Sequence, residues 1–197
     1  IPPANVHVIS PFIGGGFGGK SRNMQAVEAA RLARLTGKPV QVAWTRAEEF
    51  FFDSFRPAAV VKIKSGLDAN GRIRFWDYHV YFAGERGAEH FYSIPNHSTV
   101  AHGSGWAGIP GAHPFATGPW RAPANNTNTF ARESQIDIMA ARARVDPVEF
   151  RLQHLADKRM RGVLQVAADK FGWKPGKAPS GRGYGVACGI DAGTLVA

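Results

Sequence analysis

The sequence predicts an α+β fold, with helices packed on a mixed or antiparallel sheet, and three observations carry that prediction. Two runs rich in Val, Ile, Tyr, Phe and Trp, residues 58–65 and 72–82, flank Leu67, Asp68, Ala69, Asn70 and Gly71, a loop with its glycine late. That pattern is an antiparallel hairpin. Three helical segments then follow one another at 127–144, 147–156 and 159–171. At the other end of the chain, an apolar run, a glycine-saturated turn and an Ala-rich segment read as strand, turn and helix.

Each element has a local reason. Val6, His7, Val8, Ile9, Phe12 and Ile13 give a β-branched and aromatic run, predicting the first strand. Gln25 to Leu35 lacks Gly and Pro, predicting a helix over 21–36 that Gly37 and Pro39 close. Residues 39–45 read as a second strand. Residues 83–126 are rich in glycine, proline, histidine and asparagine with little periodicity, and a loop that long is more often a functional surface than a linker. In the helical part, Asp146 is placed as a cap, Pro147 in the first turn and Glu149 three residues after the cap. Residues 180–192 read as the start of a final strand. The organisation is thus 1–82 (strand, glycine loop, helix and hairpin), 83–126 (long loop) and 127–197 (helices and terminal strand).

Composition sets the outer bounds. With 44% hydrophobic and 20% charged residues among 197, the chain should bury a core. Lys and Arg outnumber Asp and Glu by 24 to 15, a net charge of +9. Those charges are scattered among apolar residues or set on helices that also carry acids, so solvated helix faces and a surface for partner subunits explain them better than a nucleic-acid footprint. No membrane span is expected, because no run of 18 apolar residues occurs, and no secretory leader is visible. The absence of an initial Met, with an apolar end at Thr194, Leu195, Val196 and Ala197, suggests a piece of something longer. A lone Cys188 excludes an intrachain disulfide and a cysteine-ligated cluster, and its neighbours Val186, Ala187 and Ile190 predict a buried strand thiol.

The turn itself reads Gly14, Gly15, Gly16, Phe17, Gly18, Gly19, Lys20, Ser21. Without Cβ atoms its backbone can take left-handed conformations and approach a ligand closely, presenting N–H groups. A helix starting near Ser21 would add its positive end, and Lys20 a formal charge, favouring an anion. Gly14, Gly19, Lys20 and Ser21 satisfy the P-loop pattern, but phosphoryl transfer also needs a carboxylate ending a later strand to hold Mg²⁺. The next strand candidate ends in Trp44, Thr45 and Arg46 instead. Gly14, Gly16 and Gly19 also spell a dinucleotide fingerprint, yet basic and neutral residues from Lys38 to Arg46 stand where its acidic ribose ligand belongs.

A third reading covers far more of the chain. The octet is followed by an Ala-rich helix, by Thr36, Gly37, Lys38, Pro39 and Val40, and by Thr45, Arg46, Ala47, Glu48 and Glu49. Further on come Gly118, Pro119, Trp120, Arg121, Ala122 and Pro123, then Glu133, Ile136 and Asp137 on a helix. Asp146 to Arg151 and Gly183, Tyr184, Gly185, Val186, Ala187 close the series. These blocks, in this order, resemble the molybdenum-cofactor-binding subunit of the xanthine dehydrogenase and aldehyde oxidase family, from Val6 to about Ala192. The resemblance implies that the chain is an excised part of the molybdenum-cofactor-binding domain, inactive alone.

What the resemblance implies for the site follows residue by residue. Gly15, Gly16, Phe17 and Gly18 would line the pterin cofactor, by backbone contacts and one ring that shields the metal; Phe17 could alternatively anchor the loop in a core. Trp120 and Arg121 match the family's second cofactor segment, where main-chain N–H groups face the metal centre. Pro123 stands where purine-oxidising members carry a stacking phenylalanine, and Ser21 where they carry a substrate-binding glutamate. No second substrate arginine is matched, Arg86 failing to align. Xanthine is therefore not the expected substrate. The full loop and the segment Phe55, Arg56, Pro57 look closer to bacterial aldehyde-oxidising and isoquinoline-oxidoreductase-type members, implying hydroxylation of an aldehyde or N-heteroaromatic carbon with oxygen from water.

The implied cofactor is a molybdenum-pterin in its cytosine dinucleotide form, with 2Fe-2S clusters on a partner iron-sulfur subunit or another domain. Electrons would leave through them to a flavin subunit or a cytochrome. The family's general-base glutamate lies past the end of this chain, so no catalytic residue is assigned. Glu85, Glu89 and Glu133 read as surface, loop or helix carboxylates. His90, His97, His102 and His113 are spaced by 7, 5 and 11 residues, matching no metal pattern, and loop hydrogen bonding or channel lining is expected of them. Trp106, Phe115 and Trp120 would line a substrate funnel or fill an aromatic core beneath the long loop. The cytoplasm is the expected compartment, with the periplasm left open. Two other classes stay open: a P-loop-type nucleotide-binding protein, and a non-catalytic scaffold for subunit contacts.

Overall fold

The computed structural model describes residues 1–103, 113–174 and 181–197. The chain divides into two compact units, residues 1–54 and 55–197.

The first unit is built on helix α1 (Met24–Thr36) and helix α2 (Arg46–Phe52). Gly37 ends α1 in the left-handed region, at φ 65°, its N–H donating to Ala33 O at 2.9 Å. A capping box starts α2: Thr45 N–H donates to Glu48 Oε2 at 2.7 Å while Glu48 N–H donates to Thr45 Oγ1 at 3.3 Å. Trp44 Nε1 reaches back to Glu28 Oε2 of α1 at 2.9 Å. Residues 6–13 and 39–45 form no strand, contrary to expectation. A strand needs a ladder partner for its backbone groups, and no strand forms elsewhere in this unit. The apolar side chains of the first run lie in the open, Val8 at 82% exposure and Phe12 fully exposed. Neither helix buries a residue.

The second unit holds the core. Strands β1 (Val60–Leu67) and β2 (Ile73–Tyr81) form the expected hairpin, with Val60 opposite Tyr81 and Lys64 opposite Asp77. Asp68 shapes the connection, its carboxylate accepting from Asn70 N and Arg72 N at 2.9 Å each, and Gly71 supplies a φ of 75°. Strand β3 (Asn96–His102) lies parallel to β2, with Phe75 opposite Asn96 and Tyr81 opposite His102. It falls inside the stretch expected to be loop. The sheet is therefore mixed, in the order β1-β2-β3.

Helix α3 (Asn125–Ala143) packs against the sheet at β1, α4 (Pro147–His154) packs against α3, and α5 (Lys158–Phe171) against α4. Trp76, Tyr78 and Val80 of β2 share one buried cluster with Ile136 and Met139 of α3, Phe150 of α4 and Leu164 of α5. Alternate residues of β2 thus point inward, as the period of two demands. Asp146 caps α4 through Val148 N and Glu149 N, and Asp157 caps α5 through Arg159 N and Met160 N. The chain ends in a small hairpin, β4 (Gly189–Asp191) against β5 (Thr194–Val196), where one terminal strand was expected.

Glu133 is a helix carboxylate on α3, within the sequence reading, and it is buried, at 3% exposure. It accepts from Arg132 Nε and Arg151 Nε at 3.0 Å, Tyr92 Oη at 2.8 Å and Cys188 N at 2.9 Å. Arg132 continues to Gly87 O, and Arg151 to Asp137. Asn128, also on α3, donates to Gly84 O and Arg86 O at 3.0 Å and accepts from Tyr78 Oη at 2.7 Å. Polar side chains of one helix thereby hold down the loop between β2 and β3.

Candidate functional site

The glycine turn lies in the first unit. Gly15 has φ 123°, Phe17 φ 52° and Gly18 φ 109°, so three of four consecutive residues are left-handed. Only glycine tolerates this freely, and a phenylalanine there is strained. Gly16 N-terminal to it is required for a different reason: a Cβ would fall 2.8 Å from the Lys20 Cβ. The turn closes by Gly19 N–H donating to Gly16 O at 2.8 Å. Phe17 is 66% exposed, which is not the burial of a core anchor. A short 3-10 turn, Gly19–Ser21, separates the loop from α1, whose first residue is Met24. The helix N-terminus therefore sits three residues later than expected.

The second segment lies in the other unit. Phe55 is pinned on both sides, its N–H donating to Ala116 O at 2.7 Å and its carbonyl accepting from Gly118 N at 2.9 Å, in a parallel bridge to Thr117. Arg56 then reaches across to the Arg121 carbonyl with Nη2, at 2.8 Å, and to Asn126 Oδ1 with Nη1, at 2.9 Å. Between those two acceptors Ala122 has φ 54° and Ala124 φ 60°. Neither alanine is a residue that takes that region readily, and strain of this kind collects at ligand clamps. Trp120, Arg56, Pro57, Gly118, Pro123 and Thr127 line a small open cleft with room for about one water molecule.

The sequence candidates are distributed accordingly. Gly15, Gly16, Phe17 and Gly18 share the strained turn of the first unit, and Trp120 and Arg121 share the strained segment of the second. Phe115 packs its ring on Phe55 at 5.1 Å, while Trp106 lies outside the described residues. His90 and His97 meet edge to face at 4.6 Å, and His102 pairs with His79 at 2.9 Å between ring nitrogens. Among the described residues, no three His, Cys, Asp or Glu converge as a metal site. Burial pushes the Cys188 thiol up to about 11, with the Glu133 charge adding to it, so it is protonated and unreactive at neutral pH. Sequence reasoning missed Arg56 as a site component. Its only signal was the Phe55, Arg56, Pro57 similarity, which gave the arginine no role.

In the first unit no atom stands within 4 Å of where a Gly14 Cβ would project, so that side of the glycine loop is open. In the second, Ala124, at φ 60°, lines the cleft beside Trp120. The fold is α+β, and each unit carries one of these backbone-strained turns. A family model described as the molybdopterin cofactor-binding domain matches residues 1–106, more than half the chain. The chain belongs to that family.

Relatives agree along nearly its whole length. The aldehyde oxidoreductase molybdenum-binding subunit PaoC of Escherichia coli is 30% identical over 96% of this chain. Isoquinoline 1-oxidoreductase subunit beta of Brevundimonas diminuta is 29% identical over 93%. The chain spans only 29% and 25% of those two relatives. Among solved structures, quinoline 2-oxidoreductase from Pseudomonas putida 86 superposes with a TM-score of 0.66 at 17% identity, over 82% of this chain and 24% of that one. CO dehydrogenase from Oligotropha carboxidovorans gives the same TM-score at 19% identity, over 87% and 25%. These likenesses establish the fold.

Proposed function

We propose that the chain is the cofactor-cradling part of a molybdenum hydroxylase subunit that oxidises an aldehyde or N-heteroaromatic carbon. The observation that carries this is the strained glycine turn, with Phe17 exposed at φ 52°, inside a segment that matches the molybdopterin-binding family. When bound, the molybdenum-pterin cofactor supplies the redox chemistry that converts C–H to C–OH with oxygen from water. The protein's part is positional. Backbone N–H groups of Gly15, Gly16 and Gly18 would hold the cofactor, the missing Cβ atoms letting the chain approach it closely. The Phe17 ring would shield the metal centre. Trp120 and the main chain at Arg121 would supply the second cofactor-binding segment. The general base belongs to a part of the subunit beyond this chain.

The finer assignments are carried over from the family resemblance. Relatives named as aldehyde oxidoreductase and isoquinoline oxidoreductase subunits support an aldehyde or N-heterocycle, but xanthine dehydrogenase subunits are relatives too, so it is Ser21 and Pro123 that argue against a purine. A cytosine dinucleotide form of the cofactor, 2Fe-2S clusters on a partner subunit, an onward flavin or cytochrome acceptor and a cytoplasmic home complete the proposal. No helix among the described residues is long and apolar enough to cross a membrane. The P-loop alternative loses its structural context, since that motif needs a strand entering the loop and a helix leaving at its lysine. Here no strand enters and α1 starts at Met24.

Phe17→Ala and Arg121→Ala in the full-length subunit test the site. Each should lower molybdenum occupancy or turnover, by about tenfold or more if positioning is lost. Wild-type metal content and rate in both would sink the assignment.

A further inference from the structure

Resting on the function proposed above, we infer that Arg56 is a positioning residue: it holds the strained 121–124 turn against the cleft, by a fork that ties the two ends of that turn together. Its base is fixed, because the preceding residue is hydrogen-bonded on both backbone sides to Ala116 and Gly118. Its head spans the turn, one nitrogen on the Arg121 carbonyl and the other on the Asn126 side chain. On the helical side the turn is tied into α3 by Asn125 N to Pro123 O at 2.7 Å, Asn126 N to Ala122 O at 3.2 Å and Asn128 N to Ala124 O at 2.9 Å. Arg56 supplies the tie on the other side.

The turn needs that restraint. Ala122 and Ala124 both occupy the left-handed region, which an alanine leaves unless its surroundings over-determine it. Both acceptors of the Arg56 fork are neutral oxygens, and among the described residues Arg56 makes no ion pair. Geometry is therefore what the residue contributes, and a planar fork provides two parallel donors where a lysine provides a point charge. Pro123 and Ala124 of the turn line the same cleft as Arg56, so a relaxed turn would change its shape directly.

The test is made in the purified full-length complex, comparing wild type, Arg56→Ala and Arg56→Lys. Molybdenum and released pterin per subunit, the electron paramagnetic resonance signal of the reduced metal, kcat, KM and Tm are measured together. Arg56→Ala should keep the wild-type Tm within a few degrees, while losing metal or altering its resonance signal and lowering kcat about tenfold or more with a smaller change in KM. Arg56→Lys should fall between. Wild-type complex lacking molybdenum and pterin overturns the functional reading and this inference with it. Loaded wild type alongside an Arg56→Ala complex unchanged in metal, signal and kcat overturns this inference alone. If Arg56→Ala does not fold, Arg56→Lys decides by the same readouts, and failure of both to fold makes Arg56 a residue of the fold and overturns the inference.

Discussion

Glu133 takes four hydrogen bonds from four different parts of the second unit, two of them from guanidinium groups. A buried carboxylate so satisfied is stable in place, yet removing it strands Arg132 and Arg151 without their countercharge. Glu133→Ala should therefore cost about 3–5 kcal/mol in urea unfolding, far more than the loss of an exposed glutamate. His154 is a second buried polar group with a defined role: Nε2 accepts from Ile73 N at 3.0 Å, and Nδ1 lies 2.7 Å from Phe150 O. That arrangement requires the neutral ring with its proton on Nδ1. Burial lowers its proton affinity, as it does for His90. The unfolded chain then binds more protons below the ordinary histidine value, so stability should fall as pH drops from about 6.5 towards 5, before most carboxylates titrate. Urea midpoints at pH 7 and pH 5 check the sign, and an unchanged midpoint would contradict it.

At the level of elements, Asp146 joins two helices' worth of structure. One carboxylate oxygen caps α4 and the other accepts from Trp173 Nε1 at 2.9 Å, just past the end of α5. Asp146→Ala should destabilise by about 1–2 kcal/mol, with Asp146→Asn recovering part of it, in the same urea assay. This cap was legible in the sequence because Asp, Pro and Glu stood at capping positions, as was the β1-β2 hairpin from its alternation and loop. Strand β3 was not, since Asn96, His97, Ser98 and Thr99 carry no apolar period and its partner β2 lies across a long connection. That connection is ordered by Asn128 and Arg132, side chains that no local pattern links to it. In α2 the Thr45 and Glu48 capping signal was present but was absorbed into the block that carried the family resemblance. The site divides the same way. Glycines announce the first strained turn, whereas Ala122 and Ala124 take their conformation from tertiary restraint, which a sequence of alanines conceals.

Across the whole molecule, burial is unevenly shared. The second unit contains the hydrophobic cluster, while α1 and α2 of the first bury nothing. Hydrogen exchange on the chain should therefore find amides of α1 protected far less than those of β2 and α3, and equal protection would count against an independent core. Val8, Ile9, Phe12, Phe50 and Phe51 of the first unit are exposed. Against this background the single thiol has a practical use. With Cys188 buried and its thiol near pKa 11, roughly one molecule in ten thousand carries the thiolate at pH 7 even before access is considered. The native chain is in effect silent to maleimides, so a cysteine introduced at Lys20 could carry a dye next to the glycine turn without background. Labelling of Cys188 itself would then count the openings of the core, one chemical event for each.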